Sequence, residues 1–290
     1  MPKSLIVNVS VSDLRREPCI HAGGYEKDPL QESQVLYGEY LIGHEERDGW
    51  VFVEAIEQQK YTSQKWQGYP GWVQKSHVLE GSHRQRKNPL IVQVPWATIQ
   101  VESQKIPVSL GTHLEGKVGE IQLADGRQGQ IPLEHVRDLP PTPSLTLEMR
   151  QDLLATGHQL LGQPYLWGGF SAYRPDRLSS CDCSGLVGLL YRLQGINLPR
   201  DAHDQFFRCE KLSYADLLPG DLIFLAPADK PERMGHVMLF AGGDELLDAN
   251  ITDGKTVCST GLSRFGRPFE SLAWGEQIDK YMIYYGRFTR

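Results

Sequence analysis

The segment Ser180–Gly185, with the sequence SCDCSG, runs directly into the apolar stretch Leu186–Tyr191. This order predicts a buried helix whose first turn carries Cys183. A helix N-terminus carries about half a positive charge, and that field stabilises a thiolate. Further along, Gly235–His236 precedes the strand-like run Val237–Ala241. A cysteine at a helix start and a histidine at a strand start favour a chain in which a thiolate attacks and an imidazole acts as its base.

The same cysteines permit two plainer interpretations. A cysteine near a helix start is more often a small buried residue than a nucleophile. Cys181 and Cys183 also resemble half of a metal-binding motif, but the sequence offers no second Cys-x-x-Cys or His-x-x-x-His partner at zinc spacing. We therefore expect no metal and no other cofactor.

Composition and charge narrow the range of partners. The 290 residues are 40% hydrophobic and 23% charged, which is ordinary for a globular chain of two or three domains. The net charge is −6 and no basic run stands out, which argues against nucleic acid or an anionic membrane as a partner. The sequence leaves the oligomeric state open.

Three features of the sequence bear on its cellular compartment. The N-terminal segment Met1–Val9 has only a short apolar run and lacks the small-residue cleavage pattern of a signal peptide. No stretch approaches the roughly 18 apolar residues that a membrane span needs. The five cysteines are irregularly spaced, a pattern typical of reduced thiols. Together these features predict a cytoplasmic protein.

Strand and turn signals divide the chain into three domains. Residues 1–82 and 86–138 each carry short β-branched and aromatic runs between Gly, Pro and Asp turns, as in small all-β barrels. Residues 139–145 form a proline-rich linker. In residues 146–290 helical periodicity comes first, starting at Thr146, and strands follow, which predicts an α+β domain.

Five motifs follow one another in this last domain: Tyr165–Gly169, Asp182–Gly185, Pro199–Asp201, Pro219–Leu222 and Gly235–Val237. In this order they resemble the NlpC-type cysteine peptidases, papain-like endopeptidases that cut cell-wall peptides. The resemblance implies a papain-like α+β fold for the domain. The N-terminal half resembles the paired SH3-like barrels of one branch of that family, the γ-D-glutamyl-L-diamino acid endopeptidases of murein-peptide recycling.

The chemistry of the residues gives Cys183 and His236 their predicted roles. Cys183 is the nucleophile, and His236 takes its proton and later protonates the leaving amine. A third group should orient the imidazole. Where the family usually supplies a histidine, twelve residues after His236, this chain has Asp248. A carboxylate accepts the imidazole N–H and favours the imidazolium.

The sequence leaves two points about Asp248 open. The turn at Gly242–Asp244 puts Asp248 on the His236 face of the sheet if the loop has three residues, and on the opposite face if it has two and no bulge intervenes. Asn250 shares the face of Asp248 and is the rival candidate. The alternative to both is that Asp248 is an ordinary loop aspartate.

Two donors are predicted for the oxyanion of the reaction. The backbone N–H of Cys183 at the helix start is one of them. The resemblance implies that the Tyr165 hydroxyl lies beside the nucleophile as another. The alternative is that Tyr165 only packs before a Gly-Gly turn.

The resemblance also implies a substrate with a free N-terminal L-alanine, whose ammonium needs carboxylate partners. Asp201, eighteen residues after Cys183, matches the amine-binding aspartate of the family, and Ala202 stands where the branch has a serine. Asp182 and Ser184, which flank the nucleophile, resemble substrate-lining positions.

Two residues of the first predicted barrel, Glu32 and Tyr69, lie in segments that resemble the substrate-gating segments of the family. They are the candidates for closing the amine pocket, and the alternative is that both are ordinary loop residues. Arg200 is expected to pair with a neighbouring acid or to support its loop, with contact to a substrate carboxylate as a further option.

We therefore expect a cytoplasmic cysteine endopeptidase that hydrolyses γ-D-Glu–diamino acid bonds in free peptidoglycan peptides bearing an N-terminal L-Ala. Two alternatives remain: an endopeptidase that acts on intact peptidoglycan with the barrels as wall anchors, and a non-enzymatic peptide-binding scaffold. The intact pair of Cys183 and His236 argues against the scaffold.

Overall fold

The computed structural model of the protein describes residues 2–20, 28–83, 85–117, 119–141, 145–174 and 179–288. The chain forms two compact units, Met1–Pro141 with Leu166–Cys181 and Thr142–Tyr165 with Asp182–Arg290. Part of the predicted linker, residues 142–144, lies outside the described residues. No helix among the described residues is long and apolar enough to cross a membrane.

The first unit begins with a seven-stranded antiparallel sheet. Its strands are β1 (Lys3–Val7), β2 (Val11–Arg15), β3 (Gln31–Leu36), β4 (Tyr40–Arg47), β5 (Trp50–Thr62), β6 (Lys65–Gln74) and β7 (Val78–Glu80). They lie in the order β3-β2-β6-β5-β4-β1-β7. Alternating apolar side chains on the strands, among them Leu5, Val7, Val51 and Val53, point to one face and form the core.

A second seven-stranded antiparallel sheet follows in the same unit. Its strands are β8 (Pro89–Val92), β9 (Trp96–Val101), β10 (Gln104–Ser109), β11 (His113–Lys117), β12 (Glu120–Gln122), β13 (Gln128–Gln130) and β14 (Val136–Asp138). The order β10-β9-β13-β12-β11-β8-β14 repeats the order of the first sheet strand for strand. The dipeptide Asp125–Gly126 is a sequence typical of a hairpin turn, and β12 and β13 pair on either side of it.

A short ribbon of β15 (Phe170–Arg174) and β16 (Ser179–Cys181) also belongs to the first unit. These residues lie within the predicted domain 146–290, and their contacts group them with the first unit. The reason is a set of buried hydrogen bonds: the amide oxygen of Gln34 accepts from Phe170 N at 3.1 Å and from Ser171 Oγ at 2.7 Å. Since buried polar groups need partners, these bonds tie the ribbon to the N-terminal part of the chain.

The second unit is a mixed α and β domain. Its helices are α1 (Leu147–Gln159), α2 (Cys183–Arg192), α3 (Ala202–Phe207) and α4 (Gly261–Phe265). The helix predicted after Thr146 is confirmed, and the Thr146 hydroxyl caps it by accepting from Met149 N at 3.2 Å. Four short 3₁₀ helices complete the described helical segments of the chain: Lys75–His77, Leu133–His135, Tyr214–Asp216 and Phe269–Ser271.

The sheet of the second unit carries the histidine and the acidic candidate. Its strands are β17 (Cys209–Lys211), β18 (Leu222–Pro227), β19 (His236–Gly242), β20 (Glu245–Asn250), β21 (Lys255–Thr260), β22 (Gln277–Ile278) and β23 (Tyr281–Phe288). Six of them lie in the order β17-β23-β18-β19-β20-β21, and β22 pairs with β23. Helix α2 packs against β19 and β20, so the helix that starts at Cys183 lies on the strands that carry His236 and Asp248.

A buried ion cluster fixes the strand β18 within this unit. Asp221, which directly precedes β18, is fully buried and accepts hydrogen bonds from Arg150 Nη1 at 2.8 Å and Arg287 Nη2 at 2.6 Å. Leu218 N donates to the same carboxylate at 2.8 Å. A buried carboxylate held by two guanidinium groups and a backbone amide is satisfied, and removing it strands two cations.

We expect Asp221→Ala to lower the free energy of unfolding by about 3–5 kcal/mol, the range for breaking a buried ion pair from one side. Chemical denaturation followed by circular dichroism measures this change. The matched control is Asp216→Ala, which removes an exposed carboxylate nearby and is expected to cost less than about 1 kcal/mol. Equal losses in the two variants would contradict the structural role of the cluster.

Candidate active site

Cys183 opens helix α2, as the sequence predicted. Asp182 is the N-cap residue, and its Oδ1 accepts from Gly185 N at 2.7 Å. Every residue of α2 is buried, and Cys183 itself is 8% exposed. The helix therefore presents its positive end to a thiol that is shielded from bulk water.

Arg200 holds the start of this helix from the loop before α3. Its Nη2 donates to Asp182 Oδ2 at 2.8 Å and its Nη1 to Ser184 Oγ at 2.9 Å. The expectation that Arg200 pairs with a neighbouring acid is confirmed, and Asp182 is that acid. Asp182 and Ser184 thus form a buried support for the first turn of the helix. Their contact with a substrate stays a prediction.

His236 and Asp248 meet on one face of the sheet. His236 Nε2 lies 2.6 Å from Asp248 Oδ2, and Asp248 exposes none of its surface. In the register of β19 and β20, Leu239 is opposite Leu247, and the pairing shifts between Phe240 and Gly242. The turn is therefore a short one accompanied by a bulge, which is the arrangement that keeps both side chains on the same face.

The rival residue Asn250 points to other partners. Its Nδ2 donates to Asp253 Oδ2 at 2.9 Å, and its Oδ1 accepts from Thr252 N at 2.7 Å. Asn250 thereby shapes the tip of the β20–β21 hairpin, an Asx-type turn contact. Of the two candidates, only Asp248 lies within hydrogen-bond distance of the imidazole in the described structure.

The surroundings of His236 favour its charged form. Burial lowers the pKa of the imidazole, but the negative charge of Cys183 and the hydrogen bonds to Asp248 and to the Cys183 sulfur together raise it to about 10. Since Nε2 faces Asp248, the other ring nitrogen, Nδ1, is left for the sulfur. The arrangement therefore keeps the imidazole in its charged form near neutral pH.

Tyr165 belongs to the same electrostatic neighbourhood. Burial raises the pKa of its phenol above the ordinary value, and the charges of Asp182 and Cys183 raise it further. Its backbone N–H donates to Gly254 O at 2.8 Å, which ties it to the β20–β21 hairpin. A phenol that keeps its proton stays a hydrogen-bond donor, as an oxyanion partner requires. That role remains a prediction.

The other candidates for substrate recognition lie on different elements. Asp201 is the half-buried N-cap residue of α3, and its side chain makes no capping hydrogen bond to that helix. In the first unit, Tyr69 Oη donates to Glu32 Oε2 at 3.3 Å, and Arg16 Nε donates to Glu32 Oε1 at 2.6 Å. Glu32 lies on β3 and Tyr69 on β6, and their side chains contact each other. Both are therefore strand residues and not loop residues.

The described residues hold no group of three or more His, Cys, Asp and Glu side chains that fits a metal ion. The site itself places a buried thiol beside an imidazole whose far nitrogen meets a buried carboxylate. A thiol, an imidazole and a carboxylate in this arrangement fit the class to which the comparisons below assign the protein: it is a cysteine peptidase.

The family model for the NlpC/P60 family matches residues 162–265. The matched range includes Cys183, His236 and Asp248. Residues 162–265 of this chain therefore form a domain of the NlpC/P60 family.

Similarity to known proteins extends beyond that domain. The chain is 28% identical over 238 residues to a γ-D-glutamyl-L-lysine dipeptidyl-peptidase of Bacillus subtilis. The aligned region covers 79% of this chain and 75% of that protein. It is 25% identical over 228 residues to the protein of the same name from Bacillus cereus, covering 74% of this chain and 66% of the other. The chain is homologous to both.

A solved structure shares the fold. The crystal structure of an NlpC/P60 family protein from Bacillus cereus superposes with a TM-score of 0.77, at 22% identity, over 99% of this chain and all of the other. This likeness shows the fold of the chain.

One side chain near the site was not identified from the sequence. Arg264, in the short helix α4, donates through Nη2 to Asp248 Oδ2 at 2.7 Å. It lies sixteen residues after Asp248, on an element too short to show helical periodicity. Only the packing of α4 against β21 brings the guanidinium to the carboxylate.

Proposed function

We propose that this protein is a cytoplasmic peptidase of wall recycling, which hydrolyses the bond between γ-D-glutamate and the diamino acid in free peptidoglycan peptides that start with L-alanine. The observation that carries the proposal is the extent of its homology. The 238 residues shared with the γ-D-glutamyl-L-lysine dipeptidyl-peptidase of Bacillus subtilis exceed the length of the second unit, so the likeness includes N-terminal residues as well as the peptidase domain.

The proposed chemistry starts from the thiolate of Cys183. It attacks the γ-carbonyl carbon of D-glutamate, and the oxyanion accepts hydrogen bonds from the Cys183 N–H and the Tyr165 hydroxyl. The imidazolium of His236 gives its proton to the nitrogen of the diamino acid, which leaves as a free amine. Water then attacks the thioester while His236 takes a proton from it, and the products are L-Ala-D-Glu and restored thiol.

Recognition of the free amine is assigned to acidic residues. An ammonium that leaves water for a partly dry pocket needs charged hydrogen bonds, and Asp201 and Glu32 are the proposed acceptors, with Tyr69 holding Glu32 in place. Each such bond contributes about 1–3 kcal/mol. Acetylating the alanine removes the charge that these carboxylates would bind.

The two N-terminal sheets are proposed to be SH3-like barrels that restrict access to small peptides. Their identical strand order supports two copies of one small β architecture. Each copy has an apolar core, and Tyr37 of the first copy packs into the core of the second.

A peptide panel tests the proposed function. We expect L-Ala-γ-D-Glu-meso-diaminopimelate or L-Ala-γ-D-Glu-L-Lys to be cleaved with release of L-Ala-D-Glu, and its N-acetylated form to be cleaved about 100-fold more slowly or not at all. Mass spectrometry of the products gives the cleaved bond. Comparable cleavage of the acetylated peptide, or faster release from intact sacculi, would contradict the free-peptide assignment and favour an enzyme of the intact wall.

Two variants test the amine-binding residues within the same panel. Glu32→Gln and Asp201→Asn should each slow cleavage of the free-amine peptide by about 10-fold or more while leaving the slow rate on the acetylated peptide unchanged. Equal losses on both peptides would mean that these carboxylates do not bind the amine.

A further inference from the structure

Arg264 contacts the acidic orienter of the site from the last turn of α4. Its Nη2 lies 2.7 Å from Asp248 Oδ2. The side chain of Arg264 is 19% exposed, whereas that of Asp248 is fully buried. A guanidinium at this distance compensates a carboxylate that has no water to stabilise it.

Two donors converge on one carboxylate oxygen. His236 Nε2 and Arg264 Nη2 both contact Oδ2 of Asp248, at 2.6 and 2.7 Å. The other oxygen, Oδ1, is buried and has no hydrogen-bond partner in the described part of the chain. Without Arg264, the Asp248 carboxylate would keep one hydrogen bond in the described structure, the one to His236. Asp248 would then have no other contact to fix its position while it orients the His236 ring.

The second arm of Arg264 reaches the neighbouring hairpin. Nη1 lies 3.4 Å from Oδ2 of Asp253, the same oxygen that accepts from Asn250 Nδ2. Asp253 is 44% exposed, so this outer contact is weak compared with the buried one. The contact with Asp248 is therefore the stronger of the two.

The charge on His236 changes during the proposed reaction, while that on Asp248 does not. When the imidazolium gives its proton to the leaving amine, a buried carboxylate is left beside a neutral ring. An unpaired buried charge is costly, so Asp248 alone would hold the proton on the ring. Arg264 supplies a cation that stays in place throughout.

We infer that Arg264 is a positioning residue that fixes the Asp248 carboxylate against His236 and balances its charge while the ring releases its proton. The inference rests on the roles proposed above for His236 and Asp248. It does not depend on which peptide is the substrate.

The test compares proton transfer with thiolate formation in Arg264→Gln. We expect kcat for peptide cleavage to fall by about 10- to 100-fold with KM within about threefold, the range for a group that orients a functional side chain. The rate at which iodoacetamide alkylates Cys183 at about pH 7 should stay within about threefold, because the thiolate–imidazolium pair does not need Arg264. Arg264→Lys, which keeps the charge, should recover most of kcat.

Asp253→Asn is the matched control, because it removes the charge that Arg264 meets in its outer contact and leaves the contact between Arg264 and Asp248 in place. The amide oxygen of the new side chain can still accept from Asn250 Nδ2, and kcat should stay within about threefold. Thermal melting establishes whether each variant is folded. If Arg264→Gln does not fold, Arg264→Lys takes its place, and a folded Arg264→Lys that loses more than about tenfold in kcat overturns the inference. A folded Arg264→Gln with unchanged kcat also overturns the inference. A folded Arg264→Gln whose alkylation rate falls as far as its kcat does the same. A wild-type protein that cleaves no peptide of the panel would count against the proposed substrate. The titration midpoint of the His236 ring in Arg264→Gln would then decide the inference on Arg264: it should rise when the cation beside Asp248 is lost, and an unchanged midpoint would overturn the inference.

Discussion

Cys183→Ala is expected to reduce peptide hydrolysis by at least about 10⁴-fold, to a residual rate that binding and the oxyanion donors alone can support. The reason is that no other described thiol opens a helix beside an imidazole, whereas Cys183 does so at the start of α2. The loss should appear in kcat, because the thiolate bonds to the substrate only along the reaction path. Product release followed by chromatography measures it.

The matched control for this variant is Cys258→Ala. Cys258 is an exposed thiol on β21, so its removal changes the same atom without touching the nucleophile. Its kcat should stay within about threefold of the unmodified protein. Persistent cleavage in Cys183→Ala, with the loss appearing in Cys258→Ala instead, would reject the assigned nucleophile.

Asp248→Asn is expected to lower kcat by about 10²- to 10⁴-fold, since an amide keeps the shape of the carboxylate but loses its charge. The hydrogen bond to His236 Nε2, at 2.6 Å, and the negative charge both favour the imidazolium, and the amide weakens both. The pKa of His236 should therefore fall, and less thiolate should form near neutral pH.

Two further variants separate orientation from charge at this position. Asn250→Ala removes the rival candidate, which bonds to the hairpin tip instead of the ring, and its kcat should change little. Asp248→Glu keeps the charge but moves the carboxylate by one methylene, and it should recover only part of the loss. If Asn250→Ala lowered kcat more than Asp248→Asn does, Asp248 would not be the residue that orients the His236 ring.

The order of motifs was enough to predict the family, and changes of pattern were enough to predict where the elements that carry Cys183 and His236 begin. Cys183 and His236 each sit where a change of pattern, from polar to apolar run, marks the start of an element. Such boundaries are local, so a single sequence records them. The helix after Thr146 was predictable for the same reason.

The face on which Asp248 lies was not fixed by the sequence. It depends on whether one extra residue is accommodated in the β19–β20 pairing, and the structure places that irregularity between Phe240 and Gly242. A bulge changes the side-chain alternation by one position but leaves almost no compositional trace. Packing of the sheet against α2 selects the register that buries Asp248.

Contacts distant in sequence were the least predictable part of the fold. The ribbon β15–β16 belongs to the first unit because Gln34 satisfies its buried backbone and hydroxyl groups. Arg200 and Asp182 are eighteen residues apart, and Arg264 lies on a five-residue helix. Such pairs are chosen by tertiary packing, and neither periodicity nor turn chemistry reports them.

The charge of the His236 ring can be followed by nuclear magnetic resonance of imidazole-labelled protein during a pH titration. We expect the ring to stay charged through neutral pH and to lose its proton with a midpoint of about 10, because the negative charge of Cys183 and the carboxylate of Asp248 hold that proton. In Cys183→Ala the midpoint should fall, since the partner charge is gone. A midpoint near the ordinary value of about 6.5, unchanged in Cys183→Ala, would contradict the thiolate–imidazolium pair.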